Sequence, residues 1–254
     1  RGILLQIARG ESWPTFEVPP GVGGRWSVLT DVGLLVAAAA GIPIGELLAG
    51  ARAMDEACQG HDLLSNPAYL YASLCHLLHL RHGIDEMVLM PYSDRLRTLA
   101  LWYVQLLAES LGKERNRQGE IVYQGRTPIA AVGTTDMHAQ TQQHREGKRN
   151  KLVTTMAVED FGDADITLPE SGPWTGELSF VAGQSFSRLL QAARVANEEA
   201  LASDGRPSCS IAIPRLTPTM AIAFFAWRRR SAITLRSSVG PSTPQFQLRL
   251  SSEP

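Results

Sequence analysis

In the block GTTDMHAQTQQHREG, Gly133 to Gly147, two histidines and an acid stand at the start of a helical pattern. His138 falls in the first turn, where the positive end of the helix dipole favours neutral imidazole, the form that accepts and returns a proton near neutral pH. On an earlier helical pattern Gln105 and Glu109 are four residues apart and share one face. Glu109 lies near the C-terminal end of that helix, where a carboxylate gains nothing from the dipole. A general base with its pKa raised toward neutrality is one role that explains it, and a solvated polar face is the other. Arg25 stands in the glycine-rich stretch PPGVGGRWS, Pro19 to Ser27. Glycines such as Gly24 let the backbone approach a ligand closely, and a guanidinium there could stabilise an oxyanion or grip phosphate; a plain surface turn accounts for the same spacing. The segment CHLLHLRH offers Cys75, His76, His79 and His82 as metal ligands. Steps of three drift around a helix surface and no acid joins at ligand spacing, so no metal is expected.

Positioning these groups requires a framework. EMVLM, Glu86 to Met90, reads as a buried strand that Pro91 stops, with Ser93 capping the next helix. From Asp94 to Leu111 the apolar residues Leu96, Leu99, Tyr103, Leu106, Leu107 and Leu111 recur at helical spacing, and Gly112 supplies a helix end. TPIAAVG, Thr127 to Gly133, reads as a second strand, after which Thr134 or Thr135 caps a helix running toward Glu146. KLVTTMAVED is a third strand, and further helices are expected over 66–81 and 186–203. Short apolar runs that alternate with longer amphipathic segments are the signature of βα units, so the fold class is α/β, a mainly parallel sheet sandwiched by helices.

The chain has 254 residues, a formal net charge of −1 and 44% hydrophobic residues, enough for a substantial core. A balance so near neutral gives no reason to expect nucleic acid, an anionic membrane surface or an acidic partner, and the function must reside in a specific site. The longest apolar stretch, Val32 to Ile44, is too short and too punctuated by Gly and Pro to span a bilayer, and no signal-peptide pattern precedes it. Cys58, Cys75 and Cys209 are odd in number and widely spaced, which suits a reducing compartment. A cytoplasmic protein is expected. The start at Arg1, directly on the apolar ILLQIA, has the look of a cut. From Phe224 onward the chain carries five Arg, many Ser and no acid before Glu253, the composition of a poorly ordered tail; WRRR with Arg236 fits a solvated end better than a phosphate contact.

Three blocks, in order, resemble one known family. VGGRWSVLTDVGLL is similar to the GGR(F/Y)SVLSxVGLL block of the phosphoglucose isomerase family, MPYSDRLRTLALWYVQLLAESLGK to its helix ending in ESLGK or ESNGK, and GTTDMHAQTQQHREG to its GTxxQHxxxQxxxxG block. LLAGARAMDEAC and AVEDFG add to the likeness, which spans roughly residues 12 to 220. The resemblance implies a sugar-isomerase (SIS) type fold of two α/β domains: 1–30 as the end of the first with the Gly-rich Arg loop, 31–220 as the second, and 221–254 as a divergent tail. It also implies interconversion of glucose 6-phosphate and fructose 6-phosphate through a cis-enediolate, with neither metal nor organic cofactor. Position by position, Glu109 matches the base, Arg25 the group that stabilises the anion, and Gln105 and Gly24 the lining of the sugar-phosphate pocket. His138 matches the ring-opening histidine, which in a homodimer reaches in from the neighbouring subunit, whereas His144 is expected on the surface. Two departures stand beside the likeness. The Ser/Thr-rich phosphate loop of the first domain would lie before residue 1, and after RPSCSIAIPRLTP the lysine-bearing motif FDQxGVExxK does not follow, as in a tail read in a shifted frame. The alternatives are a non-catalytic sugar-phosphate-binding module, an inactive fragment of the isomerase, or an interaction protein that uses the basic tail.

Overall fold

Both edges of one six-residue strand are used by distant parts of the chain, and that strand organises everything else. A computed structural model of the protein describes residues 2–172, 176–220, 222 and 248–250. The central strand β1 (Glu86–Pro91) is buried at five of its six positions, as its unbroken apolar run predicts for a strand covered on both faces. It pairs in parallel with β4 (Thr127–Ala130) on one side and with β5 (Lys151–Asp160) on the other. β5 pairs in parallel with β6 (Ser208–Arg215), and the short β7 (Leu248–Leu250) closes the row antiparallel to β6, giving the order β4-β1-β5-β6-β7. The separate antiparallel hairpin of β2 (Lys113–Arg115) and β3 (Ile121–Gln124) is exposed along most of its length. Apart from Ile222 and Leu248–Leu250, the segment 221–254 that composition marks as disordered lies outside the described residues.

The helices divide between the two sheet faces, and alternate strand residues show which is which. Met87 and Leu89 of β1 share a core with Met54 of α3 (Ile44–Glu56), Tyr71 and Cys75 of α4 (Pro67–His82), and Tyr103 and Leu106 of α5 (Arg97–Leu111). Val88 and Met90 face the other way and pack with Met137 of α6 (Thr135–Glu146) and with Leu190 and Leu201 of α7 (Phe186–Ser203). Handedness dictates this split. The chain leaves β1 toward β4 in one direction through α5 and returns past β1 to β5 through α6, so right-handed crossovers must use opposite faces.

Local chemistry fixes the ends. Buried Asn66 caps α4 by accepting the N–H groups of Ala68 and Tyr69 at 3.0 and 3.1 Å, and Gly83 ends that helix with φ of 64°, a left-handed conformation. Three expected boundaries shift. Pro91 is the last residue of β1 rather than its stop, and Ser93 makes no side-chain capping bond; a 3-10 turn over Asp94–Leu96 comes between before α5 begins. β4 ends at Ala130, although Ala131 and Gly133 still donate to Leu89 and Pro91 and carry the chain on beside β1. Neither Thr134 nor Thr135 caps α6 through its side chain. Asp136 in the first turn instead ties the helix back to the incoming chain, its carboxylate accepting the N–H of Val132 at 2.6 Å. Two further helices, α1 (Ile3–Gly10) and α2 (Asp31–Ala39), precede the sheet, and α1 buries none of its residues. Among the described residues no helix is long and apolar enough to cross a membrane.

Candidate active site

Arg25 and Glu109 are 84 residues apart in the chain and in contact in the fold. Arg25 sits in a 3-10 turn over Gly24–Leu29, pinned from inside: the hydroxyl of buried Ser27 donates to the Gly24 carbonyl at 2.8 Å, and Trp26 packs against the core. The Thr30 hydroxyl donates to the Ser27 carbonyl at 2.7 Å and accepts the N–H of Val32, which starts α2. Gly33 in that helix lies so close under the Val28 carbonyl that any side chain there would collide with it, so α2 and the turn fit together only with glycine at that position. The outcome is a fixed platform from which the Arg25 side chain reaches sideways to the end of α5.

There Arg25 Nη1 donates to Glu109 Oε2 at 2.5 Å, and Gln105 Nε2, one helical turn earlier, donates to Glu109 Oε1 at 3.2 Å. Both carboxylate oxygens are engaged, yet the side chains of Arg25 and Glu109 remain 34% and 45% exposed, so the cluster faces solvent. Lys113 Nζ donates to the carbonyls of Glu109 and Gly112 at 3.3 and 2.7 Å, a tie across the helix end that spacing arguments overlooked; a lysine just after a helix-ending glycine was the available signal. The expectation of a raised Glu109 pKa is corrected. The hydrogen bond from Arg25, then that from Gln105, holds the carboxyl below its ordinary range, because both favour the charged form and an exposed carboxylate has little desolvation to offset them. Arg25 Nε is buried and unpartnered among the described residues. Gly24 is exposed, with open space where a Cβ would stand, and touches this cluster only through its place beside Arg25.

His138 is not brought to these groups. It is exposed, the fourth residue of α6, with its N–H bonded to the Thr134 carbonyl at 3.0 Å. α5 and α6 cover opposite faces of the sheet. The two residues also occupy opposite edges: α6 starts where β4 ends, whereas Glu109 lies about 18 Å along α5 from the end of β1. A single chain therefore supplies a carboxylate, a guanidinium and an amide in one place and an imidazole in another.

The other histidines resolve differently. His144, expected on the surface, is 4% exposed, and burial pushes its pKa down, with the Lys151 charge nearby acting in the same direction and Glu86 against it. The helical pattern of α6 is too polar to reveal which side packs inward, and this histidine is on that side. His79 Nδ1 is 2.6 Å from Asp85 Oδ1, and among the described residues no group of three or more His, Cys, Asp or Glu could hold a metal ion.

A proton-accepting carboxylate whose partner is a guanidinium can move a proton on a carbon acid while the guanidinium steadies the resulting oxyanion. The sequence profile described as phosphoglucose isomerase matches residues 12–160. The chain is 44% identical over 218 residues to a glucose-6-phosphate isomerase of Carboxydothermus hydrogenoformans, covering 86% of this chain and 47% of that protein, and 38% identical over 217 residues to one of Rubrobacter xylanophilus, covering 85% and 48%. It thus spans about half the length of the curated relatives it matches. Among solved structures, a hypothetical protein of Thermus thermophilus superposes with a TM-score of 0.83 at 35% identity, covering 92% of this chain and 54% of that one. A glucose-6-phosphate isomerase of Chlamydia trachomatis superposes with a TM-score of 0.71 at 24% identity over 85% of this chain and 43% of that one, a likeness of fold.

Proposed function

This chain belongs to the phosphoglucose isomerase family, and on that premise we propose that it carries the proton-transfer part of an enzyme interconverting glucose 6-phosphate and fructose 6-phosphate. The observation that carries the reading is the Arg25–Glu109–Gln105 cluster at the end of α5. Glu109 takes the proton from C2 of the open-chain aldose, the C–H electrons form the C1–C2 double bond of the cis-enediolate, the O2 hydroxyl proton passes to O1 through solvent, and Glu109 returns its proton to C1 as the carbonyl forms at C2. Arg25 stabilises the enediolate oxygens, and Gln105 and Gly24 line the pocket. No metal or organic cofactor is needed, because the C2 proton is made acidic by the neighbouring carbonyl and the anion is held by fixed charge. While Arg25 grips Glu109 the carboxylate is ionised but a weak base. When substrate oxygens draw Arg25 away, the basicity of Glu109 rises at the moment it is required.

His138 performs ring opening from a partner copy. The placement of α5 and α6 on opposite faces supports this, since a homodimer offers a second copy of each group to complete two sites. We place the protein in the cytoplasm, read 31–220 as a second sugar-isomerase domain and 1–30 as the end of a first, in keeping with an α1 that buries none of its residues, and read 221–254 as a divergent tail.

The test is isomerase turnover of the chain and its variants. Glu109→Gln lowers turnover by about 10²–10⁴-fold, and His138→Asn lowers it as well. Mixing these two inactive variants restores about one quarter of wild-type activity, since about half the randomly paired dimers keep one intact site of two. An absence of recovery would remove the shared site. Phosphosugar binding without turnover, indifferent to Glu109→Gln, would make the chain a binding module instead.

A further inference from the structure

The strands meet a second crevice at the edge opposite Glu109. In doubly wound sheets, ligands bind beyond the carboxyl ends of adjacent strands whose following helices leave to opposite faces, because the chain itself opens a gap there. β1 and β5 are such a pair: α5 leaves to one face and α7 to the other. A cavity of about 440 Å³ lies at that point, lined by Arg95 from the turn after β1, by Asp160, Phe161 and Asp163 from the end of β5 onward, and by Arg215 and Leu216 at the end of β6. Its size suits a small metabolite. Phe161 and Leu216 pack against the core and give it an apolar floor.

Its charged rim is built rather than incidental. Asp160 Oδ1 accepts the N–H of Gly162 at 2.6 Å, and Asp160 Oδ2 lies 3.5 Å from Arg215 Nε. Gly162 adopts φ of 57°, and a side chain there would collide with the Arg215 guanidinium, which occupies the space that glycine leaves. Arg215 is therefore held by a loop shaped for it, while more than half its side chain stays exposed. Arg95 is exposed and makes no ion pair or hydrogen bond among the described residues. Asp160 engages Arg215 at Nε and the Gly162 N–H, which leaves the Arg95 guanidinium and the exposed part of the Arg215 guanidinium for an anion and the Asp163 carboxylate to accept hydroxyl protons.

We propose that this crevice at the carboxyl ends of β1, β5 and β6 is a second binding site, for a phosphorylated polyol, its phosphate on Arg95 and Arg215 and its hydroxyls toward Asp163. The site does not depend on the isomerase reading. The experiment is a titration of the ¹⁵N-labelled chain with sorbitol 6-phosphate, which has no carbonyl to isomerise, followed at the Gly162 N–H and Arg215 Nε–H signals. Both shift and saturate, with half-saturation on the order of 1 mM, and sorbitol alone moves neither. Arg215→Gln and, separately, Gly162→Ala weaken the response at least tenfold, as does Arg95→Gln; circular dichroism confirms that the variants keep the fold. Signals that do not move, that move equally in Arg215→Gln, or that follow sodium chloride to the same extent overturn the proposal. The Arg25 Nε–H signal reports the other cluster in the same titration, so each site succeeds or fails by its own resonance.

Discussion

Two clusters in this molecule use the same kinds of groups to opposite ends. At the end of α5, Arg25, Glu109 and Gln105 join an arginine, a carboxylate and an amide in solvent. Beneath α7, Arg194 Nη1 donates to Glu198 Oε1 at 2.6 Å, and the hydroxyl of fully buried Thr155 bonds to the same oxygen. Beside them Asn197 donates to the Tyr92 hydroxyl at 3.3 Å. Burial pushes the Tyr92 hydroxyl up to about 12, against the hydrogen bond from Asn197. The inner cluster is satisfied from within and holds α7 to the sheet. The outer one is satisfied by groups that a substrate oxygen could replace. Exposure, rather than residue type, separates a structural ion pair from one available for chemistry.

The sharpest way to break this contrast is to remove one arginine from each. Arg194→Met leaves Glu198 half-satisfied beneath α7 and is expected to cost about 2 kcal/mol in urea denaturation. Arg25→Gln costs under about 1 kcal/mol, as exposed pairs do, yet it returns the Glu109 pKa upward toward its ordinary value, readable by ¹³C NMR of the side-chain carboxyl. Equal stability losses in the two variants would erase the distinction.

A pH series sharpens it further. Buried His144 has a folded-state pKa below its unfolded value, so the unfolded chain binds the extra proton first, and stability falls as pH drops from about 6.5 through the folded pKa. His144→Gln flattens this limb of a urea-melt series between pH 7.5 and 5, where loss of Arg25 does not. Glu109 has the same ordering in a more acidic window: its pKa is depressed, so what it contributes is present above the unfolded carboxyl pKa and is lost only as pH falls through the lower folded one. The smallest effect belongs to Gly24→Ala. A methyl there meets open space, so stability changes by less than about 0.5 kcal/mol, whereas phosphosugar affinity falls if the glycine lines the pocket.

How far the sequence could be read tracks the range of the forces involved. α4, α5 and α7 were legible to within a few residues because each combines a long apolar face with local end signals, and Phe186–Ser203 matches its expected span. β1 was legible as an apolar run, and β5 as a strand rich in β-branched residues, Val153, Thr154, Thr155 and Val158. The β2–β3 hairpin was not, since its residues present no buried face, and none of α1, α2 and α3 was assigned. Within the candidate site, the bond between Gln105 and Glu109 was implicit in their four-residue spacing. That between Arg25 and Glu109 was beyond any periodicity, because it closes across 84 residues, and only the family resemblance put the two together. His144 shows the converse limit: a polar helix with one inward histidine carries no apolar stripe to betray it.

The strand order also sets a timetable. β1 is synthesised first of the four parallel strands but lies between two that come later: its partners in β4 begin about 40 residues downstream and those in β5 about 65. At about 5–20 residues per second, the most apolar segment of the sheet waits about 3–13 s with at least one bare edge on the emerging chain. Newly made protein is thus most vulnerable to clumping before β5 has left the ribosome, and a cell that makes it with a chaperone at hand would lose less of it.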